Sequence, residues 1–186
     1  MPLEINDLKV GLTITLDNEV FMIIGVDHVK PGKGAAFART KLRNLRIGTV
    51  IERTFRTNDI IEEAYIEDKS IQFSYKAGEV YHFIDQDTFE DLSLEGSRLK
   101  EVAKFLKENM VVTAFFYKGE LLNIELPSTV EYKVLKTEPG FKGDTAKSSF
   151  KPAVIETGAV IQVPLFIEVG DVIKVDTRTG EYGGRA

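Results

Sequence analysis

The chain has no cysteine, no tryptophan, only two histidines and no long apolar run. Without cysteine there is no disulfide, no thiolate metal site and no cysteine nucleophile, and nothing in the chain calls for an oxidising compartment. With His28 and His82 as the only imidazoles, a site needing two or three of them is nearly excluded, and no metal or cofactor is expected. No stretch approaches the ~18 uninterrupted apolar residues of a membrane span. The opening residues Met1-Pro2-Leu3-Glu4-Ile5-Asn6-Asp7 form neither a basic leader nor an apolar core, so no signal peptide is expected. The expectation is a soluble, cytoplasmic chain with no membrane partner.

What is present is ample for folding. The 186 residues, 43% hydrophobic and 28% charged, can hold one ordinary domain or two to three small ones, and disorder across the whole chain is excluded. The net charge of −5 is unevenly placed. Residues 65–128 carry 7 Lys/Arg against 12 Asp/Glu, which is the whole imbalance, while residues 1–64 and 129–186 are each neutral overall. Yet residues 26–56 gather eight cations, Lys30, Lys33, Arg39, Lys41, Arg43, Arg46, Arg53 and Arg56, against only Asp27 and Glu52. Such a segment in an acidic protein is either a solvated face or a site for a polyanion, with nucleic-acid phosphate the first candidate.

Strand patterning dominates. Thr13–Leu16 and Val20–Ile24 read as a hairpin turned at Asp17-Asn18-Glu19. A second hairpin turns at Lys30-Pro31-Gly32-Lys33-Gly34 and returns from Ala36 to about Arg43, and a further strand follows Gly48. These fit a small barrel over residues 1–64. Residues 65–128 read as five strands, the third near Phe89–Leu92, with a helix over about Arg98–Asn109 capped by Ser97. That is the element order of an OB-fold. Pro127-Ser128 marks a boundary, and residues 129–186 carry strands near Val130–Leu135, Ala159–Val163, Asp171–Val175 and Glu181-Tyr182, with a long loop from Pro139 to Lys151. The fold class expected is all-β, three small barrels in a row.

No catalytic constellation is found. There is no P-loop, zinc-protease helix motif or nucleophile elbow. The run Gly32–Phe37 imitates a dinucleotide fingerprint for four residues, but no helix follows; Asp85-Gln86-Asp87 opens like a calcium loop, but Phe89 stands at the third ligand position. Adjacent acids such as Glu62-Glu63 point to opposite faces of a strand and do not share a proton. His82, between Tyr81 and Phe83, reads as a sheet residue, and His28 lies close to the basic turn. The chain is not expected to be an enzyme.

The turn and the strand behind it remain. Alternation places Arg39, Lys41 and Arg43 on one strand face, a row of like charges spanning ~14 Å that could track a phosphate backbone. Gly32 and Gly34 leave Lys33 without side-chain neighbours, and Pro31 stiffens the approach. On spacing alone this is either an ordinary turn with a solvated lysine or a bare tip presenting one amine to a confined site.

The stretch Val29-Lys30-Pro31-Gly32-Lys33-Gly34-Ala35-Ala36-Phe37-Ala38-Arg39, followed by Lys41-Leu42-Arg43, closely resembles the signature loop of bacterial translation elongation factor P. Pro139-Gly140-Phe141-Lys142-Gly143-Asp144-Thr145-Ala146, Thr157–Phe166 and Val172–Tyr182 are similar to the third domain of that family, so the likeness covers essentially the whole chain. It implies an L-shaped molecule: an SH3-like (KOW-type) domain at 1–64 and OB-folds at 65–128 and 129–186. It implies binding to the ribosome beside peptidyl-tRNA and relief of stalling at consecutive prolines. By the same resemblance, Lys33 reaches the CCA end of that tRNA and is the target of a lysine-modifying enzyme. Gly143, Asp144 and Thr145 approach the exit-site side of the small subunit, and Tyr182 and Arg185 match a C-terminal ribosomal contact. A monomer without cofactor is expected. The rival reading is a general single-stranded RNA-binding protein built on OB-folds, which would need aromatic platforms on an exposed barrel face. A nearer one is the paralogous elongation-factor-P-like protein, and the Lys-Pro-Gly-Lys-Gly tip argues against it.

Overall fold

Alternating β-branched and aromatic residues, cut by turns with positive φ, make nearly every element of this chain a strand. A computed structural model describes residues 2–139 and 150–186. The first sheet contains β1 (Pro2–Leu3), β2 (Thr13–Leu16), β3 (Glu19–Val29), β4 (Phe37–Asn44), β5 (Val50–Arg56) and β6 (Ile61–Glu63), ordered β1-β6-β2-β3-β4-β5. The β2–β3 turn has Asp17 at φ 51° and Asn18 at φ 65°, the two-residue geometry that matches strand twist and that short polar side chains tolerate. Ile5, Leu8, Ile14, Phe21, Ile23, Ala38, Leu42, Phe55 and Ile61 form the core on its inner face.

The second sheet contains β7 (Glu67–Ala77), β8 (Val80–Asp85), β9 (Asp91–Glu95), β10 (Val111–Tyr117) and β11 (Glu120–Glu125), ordered β11-β10-β7-β8-β9. A short helix, α1 (Gly96–Leu99), lies in the chain between β9 and β10, as an OB-fold requires. The third contains β12 (Thr129–Thr137), β13 (Phe150–Ile155), β14 (Val160–Pro164), β15 (Val172–Asp176) and β16 (Glu181–Arg185), ordered β14-β13-β12-β15-β16. The all-β class and the three successive sheets agree with the sequence reading.

By contact density the chain divides into Met1–Asp68 with Phe115–Asn123, and Lys69–Ala114 with Ile124–Ala186. Within the first unit the β10–β11 hairpin packs through Leu122 of β11 against Val20 and Ala64, with Leu45, Ile66 and Tyr117 around them. Tyr117 Oη lies 3.1 Å from Thr15 Oγ1, and Arg46 pairs with Glu120 at 3.1 Å. Within the second, the buried Tyr132 hydroxyl donates to the Phe105 carbonyl at 2.6 Å, and Thr157 Oγ1 donates to the Lys104 carbonyl at 2.6 Å.

One local expectation fails and the end of another is corrected. The helix expected over Arg98–Asn109 stops after four residues, because Lys100 takes φ 49° and ψ −127° and the chain continues as a 3-10 turn over Lys100–Lys104. Its cap is Glu95 rather than Ser97. Most of the loop expected from Pro139 to Lys151 lies outside the described residues, but its last two residues, Phe150 and Lys151, belong to β13, where Lys151, Ala153 and Ile155 point inward. The Lys151 amine satisfies itself by donating to the Glu138 carbonyl, so a cation occupies a core position that alternation cannot flag.

Candidate functional site

The basic segment folds as the β3–β4 hairpin. Its register is interrupted once, between Ile23 and Gly25, and then pairs without a break to Val29↔Phe37. A bulge of this kind increases local twist and re-aims the strand beyond it. Residues 30–36 form the loop, with Lys30, Pro31, Gly32, Lys33, Gly34 and Ala35 all exposed. Gly34 has φ +114°, a conformation side chains rarely adopt. Gly32 is different: a Cβ there would meet nothing within 4 Å, and its φ lies outside the glycine region.

Along β4, Ala38, Thr40, Leu42 and Asn44 are buried while Arg39, Lys41 and Arg43 are exposed, as alternation predicts. The buried polar pair is satisfied. Thr40 Oγ1 donates to the Arg53 carbonyl at 2.9 Å; Asn44 donates to Glu19 at 2.8 Å and accepts from the Arg46 and Ile47 amides. The outward cations have graded surroundings. Arg39 sits opposite Asp27 and Thr54, its guanidinium 5.5 Å from the Phe37 ring. Lys41 lies opposite Glu52 and pairs with it at 3.8 Å. Arg43 is flanked by Met22 and Val50. Arg53 and Arg56 are exposed on β5, whereas Arg46 is turned to Glu120.

The remaining expected site residues lie in the third sheet or outside the described residues. Tyr182 is half-buried in β16 opposite Val175, and the Arg185 guanidinium donates to Asp171 at 2.8 Å. Gly143, Asp144 and Thr145 fall outside the described residues. The hairpin therefore brings together Lys30–Gly34 and Arg39–Arg43.

Sequence reasoning missed two side-chain contacts at the base of the loop. His28 Nε2 lies 3.1 Å from the Leu8 carbonyl, and Thr57 Oγ1 donates to the Ala36 carbonyl at 3.1 Å. The nearness of His28 to the turn was the signal for one; nothing in the sequence marks the other. His82 is a sheet residue as expected, stacked on Tyr75 with ring centroids 4.4 Å apart and 3.0 Å from Ser93 Oγ. Among the described residues, no three His, Cys, Asp or Glu converge as a metal site. Among the described residues a strongly shifted carboxylate lies elsewhere: Asp176 is held at about 2, first by the Arg178 side chain and then by the Arg178 amide.

Comparison with known proteins places these elements. Residues 4–61 match the family model described as the Elongation factor P (EF-P) KOW-like domain. Residues 66–124 match the Elongation factor P (EF-P) OB domain, and residues 130–185 match Elongation factor P, C-terminal. Elongation factor P of Moorella thermoacetica is 55% identical over 181 residues, covering 97% of this chain and 98% of that protein. The protein of the same name from a Thermoanaerobacter species is 54% identical over 176 residues, covering 95% of each. Among solved structures, the eukaryotic translation initiation factor 5A from Methanococcus jannaschii aligns with TM-score 0.52 and 22% identity over 68% of this chain and 92% of its own. A translation initiation factor 5A family protein from Naegleria fowleri aligns with TM-score 0.55 and 17% identity over 68% and 98%. At those identities the structural likeness speaks for the fold.

Proposed function

The chain belongs to the elongation factor P family of translation factors, and we propose that it binds the ribosome beside peptidyl-tRNA and promotes peptide-bond formation at consecutive prolines. In this reading residues 1–64 carry the working tip, and 65–128 and 129–186 are two OB-type domains that seat it. Lys33 addresses the CCA end of the peptidyl-tRNA, and Lys30, Pro31, Gly32 and Gly34 shape its approach. Arg39, Lys41 and Arg43 meet RNA phosphate. Gly143, Asp144 and Thr145 face the exit-site side of the small subunit, with Tyr182 and Arg185 at a second ribosomal contact. Lys33 is also the natural target of a lysine-modifying enzyme, being an exposed amine on a bare loop.

The observation that carries this reading is a lysine on an exposed loop for which the fold has no use, backed by an outward row of cations on the strand that leads from it. Proline is a constrained nucleophile, and a misplaced peptidyl-tRNA forfeits the large contribution that orientation makes to rate. A protein without an acid–base pair can restore it by holding the substrate, since each factor of ten needs only ~1.4 kcal/mol. The test is a reconstituted translation system without other copies of the factor, timed through templates with and without three successive proline codons. Acceleration confined to the proline template is the expected result; equal effects on both, or none on either, would refute the assignment.

A further inference from the structure

The loop is rooted by two bonds that lie outside the sheet's own pairing, one on each leg. On the β3 leg, His28 stands one residue before the last pair, Val29↔Phe37, and its ring reaches the Leu8 carbonyl. A carbonyl oxygen only accepts, so Nε2 carries the proton and donates. Leu8 is a firm anchor. Its side chain is 2% exposed in the core, and the 3-10 turn before it is closed by Asp7 accepting from the Glu4 amide at 2.9 Å. On the β4 leg, Thr57 holds the Ala36 carbonyl where the loop rejoins the strand. Thr57 is itself fixed, because Asp59 accepts from the Arg56 amide at 2.8 Å and returns its own amide to the Arg56 carbonyl at 3.0 Å.

Both side chains are exposed, so neither is a core requirement. The β3–β4 ladder ends at Val29↔Phe37, so beyond that pair these two side chains are what tie the legs of the seven-residue loop to the rest of the domain. We infer that His28 and Thr57 are positioning residues for the lysine tip, acting as paired clamps that fix the direction in which Lys33 is presented. The inference rests on the proposed role of Lys33, yet its structural half is measurable in the free protein.

The experiment compares wild type, His28→Ala, His28→Gln, Thr57→Val and the double variant His28→Ala/Thr57→Val. Glutamine places an amide donor at similar reach, and valine keeps the shape of threonine without its hydroxyl. Two quantities are read: backbone amide order parameters at Lys30 and Ala36, and the concentration dependence of triple-proline synthesis. Order parameters near ~0.85 in wild type should fall below ~0.6 in the double variant, with circular dichroism melts little changed. The half-saturating concentration should hold, because the cation row is intact, while the maximal rate falls about fivefold for each clamp, the equivalent of one modest hydrogen bond. His28→Gln should restore both. Unchanged order parameters would overturn the clamp. A loosened loop with an undiminished maximal rate, beside an inactive Lys33→Ala control, would overturn the positioning role and leave the proposed function standing. An active Lys33→Ala control would overturn both.

Discussion

Gly32 and Gly34 flank the same lysine but answer to different constraints. Gly34 takes φ +114°, so a side chain there is strained whatever the space around it. Gly34→Ala should lower stability by about 1–2 kcal/mol. Gly32 has open space and no such angle, so Gly32→Ala should be neutral or stabilise by roughly 0.4–1 kcal/mol through the unfolded chain. The same change puts bulk beside Lys33 and should slow triple-proline synthesis. Thermal melts run beside the reporter separate the two, and a Gly32→Ala protein destabilised by more than a kcal/mol would show that the fold, not the partner, needs that glycine. Tyr132 is the opposite kind of residue. Its hydroxyl donates to a buried carbonyl, and burial, with Glu156 nearby, holds the phenol protonated well above the usual tyrosine range. Tyr132→Phe leaves the Phe105 carbonyl unpaired and should cost about 1–3 kcal/mol by denaturant titration.

At the scale of elements, β4 is the strand whose sequence period does two jobs, core inside and cations outside. Replacing Arg39, Lys41 and Arg43 together with alanine should reduce the slope of log ribosome affinity against log salt, by roughly 0.7–0.9 for each phosphate no longer neutralised. Lys41 begins paired with Glu52, so its share should be the smallest, and Glu52→Gln should tighten binding. An unchanged slope would remove this face from the interface. The β15–β16 turn offers a pH test. The Asp176 carboxylate at about 2 lies below its ordinary 3.8, so its stabilisation is complete above that ordinary value and is lost as pH falls through about 2. The melting difference between wild type and Asp176→Asn should therefore be constant down to about pH 4 and shrink toward pH 2. A difference that grows on acidification would contradict the depressed value. Strand patterns and hairpin turns are legible in the sequence because their alternation is local. The helix is not, since Leu99, Phe105 and Leu106 bury themselves around a break at Lys100 rather than along one helical face. β13 escapes notice because an inward lysine and Pro152 imitate a loop.

For the whole molecule, the asymmetry of charge is plain in the amino-acid sequence, and it falls on the hairpin proposed to do the work. The basic segment over residues 26–56, not the composition as a whole, is what suggests the proposed anionic partner; the tip motif and the three matched family models point to the kind of protein. The clamps at His28 and Thr57 are hidden because each joins residues about twenty apart through one side chain and one carbonyl, contacts that leave no period in the sequence. What unites these scales is a single claim, that the fold exists to present Lys33. Its most direct test is translation time through a triple-proline reporter, in a system lacking other copies of the factor, with protein prepared from its native host so that any modification of Lys33 is represented. Lys33→Ala should melt within about 0.5 kcal/mol of wild type, slow the proline template and spare ordinary codons. Lys33→Arg keeps the charge but not the amine, so loss in both variants assigns the work to the amine or its modification. A folded Lys33→Ala protein that rescues the reporter as fully as wild type would contradict the account.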